Sequence, residues 1–189
     1  MNRILTLASA SPRRKLLLEM LGIPVQVQPA HIVEVPGPGE SPAAYVERLA
    51  REKAESVAGD FVLGADTTVI LDDTLLEKPA DAEDALRMLR LLQGRTHEVR
   101  TAVALSAGGI TRTAADVTRV TFRPAAEPFL RDYVATGEPM DKAGAYGIQG
   151  YGAALVERID GDFFSVMGLP VRLVLDLMAQ AGWSYRFTR

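Results

Sequence analysis

The fold is decided near the start of the chain, by the stretch Leu7-Ala8-Ser9-Ala10-Ser11-Pro12-Arg13-Arg14. The residues that lead into it are apolar and predict a short buried strand, whereas the leucines that follow recur at helical spacing. Ser11 suits the N-cap of that helix, and Pro12 suits its first position, where a missing N–H costs nothing. Gly22 suits the position just after the helix, and Pro24 prevents it from continuing. The stretch therefore predicts a strand, a tight turn and a helix N-terminus.

Two arginines, Arg13 and Arg14, occupy the first turn of this predicted helix. Free N–H groups and the positive end of the helix dipole already attract anions there, so two further positive charges are unfavourable unless something negative binds among them. The pattern indicates a bound phosphate, with Ser11 beside it in the turn. An ordinary capped amphipathic helix with two solvated arginines is the alternative that this segment leaves open.

The composition bounds the class of protein. With 189 residues and 48% hydrophobic content, the chain can bury the core of a single domain over residues 1–189. It contains no cysteine, which excludes disulfides, zinc–thiolate sites and a cysteine nucleophile. Its net charge of −3 argues against a general nucleic-acid-binding protein, so a phosphate site would be a local basic pocket. Because there is no bilayer-length apolar run and no signal-peptide pattern, we expect a soluble, cytoplasmic protein.

The pattern along the rest of the chain predicts a mixed α/β fold on a sizeable sheet. Residues 61–71 are apolar and β-branched, which predicts a buried central strand. Alternating residues on both sides of Gly108-Gly109 predict a long hairpin that ends near Phe122. A further hairpin is predicted around Asp160-Gly161, and a closing strand over residues 183–187. Helices are predicted to begin at or just after Ser11, Ser41, Asp81, Pro124 and Leu169.

Asp66 interrupts the central strand with a carboxylate. Burying a carboxylate without a partner is costly, and Thr67 and Thr68 add hydroxyl groups to the same break in hydrophobicity. A metal ligand or a general base explains this pattern, since open α/β sheets place ligands at the carboxyl edge of their strands. The alternative is an aspartate that caps a nearby loop at the strand end.

Three other segments supply charged candidates. Glu77-Lys78-Pro79 places a charged pair where the chain leaves the sheet, although surface Lys-Pro pairs are common. The second helix carries Arg48, Arg51 and Lys53, of which we expect one or two to face a site while the others are solvated. Glu34, in a proline-rich loop, is a candidate for a second metal-binding carboxylate, and its spacing alone does not distinguish it from a surface acid.

The segment Asp141-Lys142-Ala143-Gly144-Ala145-Tyr146-Gly147-Ile148-Gln149-Gly150 is rich in glycine, which indicates a backbone that must come close to another group. Lys142 and Gln149 are its long polar side chains. A glutamine amide presents a donor and an acceptor side by side, which matches the O4 and N3–H edge of uracil or thymine. A long flexible loop is the alternative.

Six segments together resemble the Maf family, the nucleoside triphosphate pyrophosphatases also called septum formation proteins. They are Ser9-Ala10-Ser11-Pro12-Arg13-Arg14, Leu49-Ala50-Arg51-Glu52-Lys53-Ala54, Gly64-Ala65-Asp66-Thr67, Glu77-Lys78-Pro79, Gly94-Arg95-Thr96-His97-Glu98-Val99 and the glycine-rich segment. The resemblance covers nearly the whole chain, in order and with compatible spacing. The glycine-rich segment is similar to that of the subgroup that acts on dTTP and UTP, and the subgroup that cleaves 7-methyl-GTP differs there.

The resemblance implies hydrolysis between the α and β phosphates, which gives a nucleoside monophosphate and pyrophosphate. It also implies a Maf/inosine-triphosphatase-like mixed central sheet flanked by helices, with two lobes around a cleft, and commonly a homodimer. Asp66 corresponds to the proton acceptor of the family. Arg13, Thr67 and Gln149 correspond to residues linked to base choice. Further active-site positions are matched by Lys53, Lys78 and Glu34, and the candidate substrate-binding set is completed by Ser11, Arg14 and Lys142.

The charge of a triphosphate agrees with this implication. A divalent cation, Mg2+ with Mn2+ or Co2+ as alternatives, would bridge phosphate oxygens and a carboxylate such as Asp66 or Glu34. Asp66 then serves as a base toward water or as a ligand of the metal, and the sequence leaves both roles open.

Two other functions stay open at this point. One is a nucleotide-sensing regulator of cell division or septum formation with little turnover, against which the presence of Asp66, Lys78 and Lys53 argues. The other is a purine-directed housecleaning pyrophosphatase, against which Gln149 argues. A housecleaning role toward modified pyrimidine nucleotides is a further hypothesis. No nucleic-acid or membrane partner is expected.

Overall fold

A computed structural model of the chain describes residues 3–187, which divide into two compact units. The first unit is formed by residues 3–66, 101–116 and 168–187, and the second by residues 67–100 and 117–167. The prediction of a single domain over residues 1–189 stays a prediction.

The described part of the chain contains seven strands and six helices. The strands are β1 Leu5–Leu7, β2 Val25–Val27, β3 Phe61–Leu71, β4 Thr74–Leu76, β5 Thr96–Ala107, β6 Ile110–Phe122 and β7 Val156–Asp160. The helices are α1 Pro12–Met20, α2 Pro42–Glu55, α3 Ala82–Leu92, α4 Glu127–Ala135, α5 Phe163–Val166 and α6 Val171–Gln180. Short 3-10 helices cover Glu138–Asp141, Ala143–Ala145 and Tyr151–Leu155. The strand order is β2-β1-β3-β5-β6-β7, with β4 paired to β3, so the predicted mixed α/β fold is confirmed.

In the first unit, strand β1 lies parallel to both β2 and β3. The helix α1 follows it as the sequence predicts, with Pro12 at its first position and an extended Ser11 as the N-cap. Gly22, just after the helix, has a φ of 67°, a left-handed conformation that glycine adopts without strain. The Ser11 side chain accepts no capping hydrogen bond. The predicted strand, turn and helix are therefore confirmed.

Helix α2 packs unusually close to β3 at Gly64. A Cβ atom on Gly64 would lie 2.2 Å from the carbonyl oxygen of Ala50 and 2.6 Å from the backbone nitrogen of Ala54. Small buried residues line this contact, and they are Val46, Ala50, Ala54, Ala102 and Ala104. The absence of a side chain at Gly64 lets the helix backbone approach the strand directly.

In the second unit, β3 and β4 form an antiparallel hairpin. Its turn consists of Asp72 and Asp73, whose φ values of 48° and 62° suit the tight turn that joins two-residue hairpins. Helix α3 is capped as predicted, because the Asp81 side chain accepts from the Asp84 nitrogen at 2.8 Å. Strand β4 itself is not among the elements that the sequence predicts.

Two predictions near the C-terminus are wrong. Strand β7 forms before Asp160-Gly161, but residues 163–166 are the helix α5 instead of a returning strand. The cause is Asp162, whose carboxylate accepts from the Phe164 nitrogen at 2.8 Å and starts a helix. Residues 183–187 do not join the sheet. Instead, the Trp183 nitrogen donates to the Met178 carbonyl at 2.8 Å and continues the end of α6.

Within residues 3–187, none of the helices has the length and apolar character needed to cross a bilayer.

Candidate active site

A buried ammonium group gathers two carboxylates in the first unit. Lys53 Nζ lies 2.7 Å from Asp66 Oδ1 and 2.8 Å from Glu34 Oε1. The close packing at Gly64 explains this geometry, because it sets the end of helix α2 against the strand that carries Asp66. Three residues, from a loop, a helix and a strand, are therefore brought together within one unit.

The three groups differ in exposure. The side chains of Lys53 and Asp66 are 9% and 12% exposed, whereas that of Glu34 is 41% exposed. Burial raises the pKa of Asp66 above its ordinary value, and the positive charges of Lys53 and Arg14 oppose this shift. A carboxylate whose pKa is raised toward neutrality is a better proton acceptor than an ordinary one.

Arg14 is buried beside this group and is held by the protein itself. Its Nε donates to the Gly168 carbonyl at 2.8 Å, and its Nη1 donates to Ser9 Oγ at 3.0 Å and to the Ala65 carbonyl at 2.9 Å. Burial lowers the pKa of Arg14, and the negative charge of Asp66 opposes this effect. Since Ala65 directly precedes Asp66, Arg14 fixes the strand next to the carboxylate as well as contributing charge.

The N-terminus of α1 also lies in this unit. The Ser11 nitrogen donates to Ser9 Oγ at 3.2 Å, which shapes the turn before the helix. Arg13, in the first turn, is half-buried. Phosphate binding at the helix N-terminus and Arg13 stays a prediction.

The other candidates lie in the second unit. Thr67 is half-buried, and Lys78 and Gln149 are exposed. Within the described residues, no side chain pairs with either Lys78 or Gln149. Lys142 is engaged instead, because its Nζ donates to the Glu138 carbonyl at 2.6 Å and to Asp141 Oδ1 at 2.5 Å. Of the predicted residues in this unit, Lys78 and Gln149 thus have the most available polar groups.

Tyr146, within the glycine-rich segment, packs in an aromatic cluster. Its hydroxyl lies 2.8 Å from His97 Nε2, and both rings meet Phe122 edge to face. Burial lowers the pKa of His97 to about 4, so its ring is neutral at physiological pH. His97 therefore anchors the segment.

The two carboxylates of this site, on Asp66 and Glu34, suit a magnesium ion. Mg2+ is commonly bound by one or two carboxylates together with phosphate oxygens of a substrate. Asp66 and Glu34 supply two such carboxylates, which lie close together because both contact the ammonium of Lys53. Among residues 3–187, no group of three or more His, Cys, Asp or Glu side chains forms a metal cage. The donor set therefore fits a cation that is bound jointly with a phosphate.

The motifs quoted above lie within residues 4–181, which match the model of the Maf-like protein family. The chain belongs to this family. The chain is 50% identical over 182 residues to a dTTP/UTP pyrophosphatase of Koribacter versatilis, covering 94% of each chain. It is 48% identical over 189 residues to a dTTP/UTP pyrophosphatase of Anaeromyxobacter dehalogenans, covering 98% of this chain and 97% of the relative. A Syntrophomonas wolfei protein of the same name is 48% identical over 182 residues, covering 93% of this chain and 96% of the relative.

The residues that sequence reasoning missed are those that hold the candidates in place. Gly64 sets the spacing of α2 from β3, and Glu138 and Tyr133 contact the segment around Gln149. The glycine pattern signalled a close approach in the glycine-rich segment, and no such signal was drawn from Gly64. It did not name the partner, because the partner depends on tertiary packing.

Proposed function

We propose that this chain hydrolyses dTTP and UTP to the nucleoside monophosphate and pyrophosphate. The observation that carries the proposal is the buried Asp66 carboxylate, held 2.7 Å from Lys53 in a chain of the Maf-like family. The names of its relatives support pyrimidine triphosphates as the substrates.

In this proposal Asp66 accepts a proton from the attacking water. The water oxygen forms a bond to the α-phosphorus, and the bond from that phosphorus to the α–β bridging oxygen breaks. Pyrophosphate leaves with the bridging oxygen, while the proton of the water passes to Asp66. Lys53 keeps the carboxylate in one orientation, and burial raises the pKa of Asp66 so that proton transfer is less unfavourable. Arg14 holds the preceding carbonyl and prevents the strand from shifting.

Phosphate charge is neutralised by the chain's own cations. We assign phosphate binding to Arg13, Ser11 and the N–H groups at the start of α1, and to the exposed ammonium of Lys78. Lys142 has a smaller role in substrate binding, since its ammonium is already bound to Asp141 and a backbone carbonyl.

Asp66 and Glu34 would hold a divalent cation, for which Mg2+ is the first choice and Mn2+ or Co2+ are alternatives. When bound, such an ion offsets the negative charge of the phosphate oxygens. Lys53 contacts Oε1 of Glu34 and Oδ1 of Asp66, so each carboxylate has a second oxygen that could bind the ion while Lys53 stays in place.

Base choice is assigned to Gln149, together with Thr67 and Arg13. The amide of Gln149 can donate to O4 and accept from N3–H of uracil or thymine. Cytosine has the opposite pattern at these two positions, and purines are larger. A homodimer and a cytoplasmic location stay predictions from the family resemblance.

The test is a panel of the common nucleoside and deoxynucleoside triphosphates with Mg2+, using an assay that separates pyrophosphate from orthophosphate. We expect pyrophosphate from dTTP and UTP, with much less from CTP and the purine nucleotides. Gln149→Ala is expected to reduce this preference. Gln180→Ala, an exposed glutamine at the end of α6, is the matched control and should behave as wild type.

Orthophosphate as the first product would contradict the proposed cleavage position. Equal release of pyrophosphate from purine nucleotides would retain the reaction and contradict the role of Gln149.

A further inference from the structure

Glu138, which lies at the start of a 3-10 helix, binds the far end of a segment formed by residues 147–152, which begins within the glycine-rich segment and runs two residues past it. Its Oε2 accepts from the Tyr151 nitrogen at 2.8 Å, and its Oε1 accepts from the Gly152 nitrogen at 2.9 Å. Oε1 also accepts from the Tyr133 hydroxyl at 2.9 Å. One carboxylate therefore satisfies two consecutive backbone N–H groups and one side-chain hydroxyl.

Tyr133, on helix α4, binds the near end of the same segment. Its hydroxyl accepts from the Gly147 nitrogen at 3.0 Å while it donates to Glu138. The Tyr133 side chain is buried at 6% exposure. Two hydrogen-bonded side chains thus connect Gly147 with Tyr151 and Gly152. We call this pair of side chains the Glu138–Tyr133 clamp.

The glycines of the segment leave the space that this clamp needs. A Cβ atom on Gly150 would lie 2.0 Å from Glu138 Oε2, an atom that cannot move without losing its bond to the Tyr151 nitrogen. A Cβ atom on Gly152 would lie 2.7 Å from the Tyr133 hydroxyl and 2.6 Å from the Gly147 carbonyl oxygen. The backbone comes close to the clamp itself, which accounts for the glycine spacing in this part of the sequence.

Gln149 lies in the middle of the clamped segment and is exposed. Ile148 before it is 7% exposed, so the backbone is fixed by packing on one side and by the clamp on both ends. An exposed side chain on a fixed backbone loses less conformational freedom on binding a ligand than one on a mobile loop.

We propose that Glu138 and Tyr133 are positioning residues that determine base selectivity by fixing the backbone on which Gln149 presents its amide. This inference rests on the proposed function, in which Gln149 binds the imide edge of uracil or thymine.

The charge states of the clamp agree with this role. Burial would raise the pKa of Glu138, but the N–H groups of Gly152 and Tyr151 and the Tyr133 hydroxyl outweigh it, so the pKa lies below its ordinary value. Burial raises the pKa of Tyr133. At neutral pH the carboxylate is therefore ionised and the phenol is protonated, as the observed hydrogen bonds require.

The test compares Tyr133→Phe, which removes only the hydroxyl, with Tyr185→Phe, which removes a hydroxyl that donates to the Leu21 carbonyl in the other unit. For each protein, kcat and KM are measured with UTP and with ATP, whose adenine carries the opposite order of donor and acceptor at N6 and N1. We expect Tyr133→Phe to lower the UTP:ATP ratio of kcat/KM by about three- to tenfold, the range that one ordinary hydrogen bond represents. The change should come from KM for UTP, with kcat retained. Tyr185→Phe should leave the ratio unchanged.

Glu138 is tested by a graded pair. Glu138→Gln keeps the shape and one carbonyl acceptor, so it should retain more of the UTP:ATP ratio than Glu138→Ala does. The double variant Gln149→Ala/Tyr133→Phe should have the same ratio as Gln149→Ala alone, because the clamp acts through Gln149. A merely structural residue would lower activity on both nucleotides alike and add its effect to that of Gln149→Ala.

Amide hydrogen exchange tests the clamp without using activity. Peptides that cover residues 147–152 should exchange faster in Tyr133→Phe than in wild type, with the peptides of α2 and β3 unchanged. Unchanged exchange, or a UTP:ATP ratio equal to that of wild type, would overturn the inference. If wild type itself released no pyrophosphate, the proposed function would fail, and the exchange result would still decide whether the clamp holds the segment.

Discussion

Lys53 is the group on which the buried charges of the first unit depend, so replacing it with methionine is the most informative perturbation. Lys53→Met keeps the length and the apolar stem of the side chain and removes the ammonium. Asp66, whose side chain is 12% exposed, then loses a contact of 2.7 Å, and Glu34 loses one of 2.8 Å. Breaking a buried ion pair by removing one partner typically costs about 3–5 kcal/mol, because the remaining charge is left without compensation. Arg14 remains near Asp66 and offsets part of this cost, so we expect about 3 kcal/mol.

The assay is urea-induced unfolding at neutral pH, analysed for the free energy of unfolding. The matched control is Arg51→Met, an exposed arginine on the same helix, which should change the free energy of unfolding by less than about 0.5 kcal/mol. Lys53→Met combined with Asp66→Asn should recover most of the loss, since the buried charge is then gone.

The pH dependence gives a second check on Lys53→Met. Burial already raises the pKa of Asp66 above its ordinary value, and removing Lys53 takes away a charge that opposes this shift. The folded state then binds a proton more readily than the unfolded state, so the variant should gain stability as the pH falls from neutral toward that value. The reasoning would be refuted if Lys53→Met cost less than about 1 kcal/mol at neutral pH, with no rescue by Asp66→Asn.

Three further predictions follow from the structure. Gly64→Ala should lower the free energy of unfolding, measured with urea, by about 1–3 kcal/mol and reduce pyrophosphate release, because the new Cβ would lie 2.2 Å from the Ala50 carbonyl oxygen. A variant with full stability and activity would contradict this. Since the pKa of buried His97 is lowered from 6.5 to about 4, wild type should lose about 3 kcal/mol of stability as the pH falls through this window. His97→Gln should lose less over the same range, and an identical loss would contradict the assignment. Removal of divalent ions with EDTA should abolish pyrophosphate release until Mg2+ is added back, whereas activity that persists would argue against a cation at Asp66 and Glu34.

Local signals explain which parts of the fold were predictable. The N-cap and first-turn proline at Ser11-Pro12, the left-handed Gly22 and the run of β-branched residues over β3 all act within a few residues, and the structure confirms each of them. The helix α5 was missed because apolar residues over so short a span fit a strand as well as a helix. Only the carboxylate of Asp162 decides between them.

The residues of the candidate site also differ in whether a local sequence signal marks them. The sequence singled out Asp66 because a carboxylate in an apolar strand requires an explanation, and the structure supplies Lys53 as its partner. The sequence could not show that Glu34 would share that ammonium, since the loop that carries it has no regular pattern. The role of Glu138 was equally hidden, because its ligands are backbone N–H groups at Tyr151 and Gly152, which no side-chain pattern marks.

The most direct test of the central claim is the identity of the products from UTP, measured for wild type, for Asp66→Asn and for Asp60→Asn, an exposed aspartate just before β3 that serves as the control. With Mg2+ present, we predict UMP and pyrophosphate in equal amounts from wild type and Asp60→Asn, and a loss of turnover of about 100-fold or more in Asp66→Asn, the scale on which a positioned general base contributes. UDP and orthophosphate as products, or full turnover in Asp66→Asn, would contradict the account.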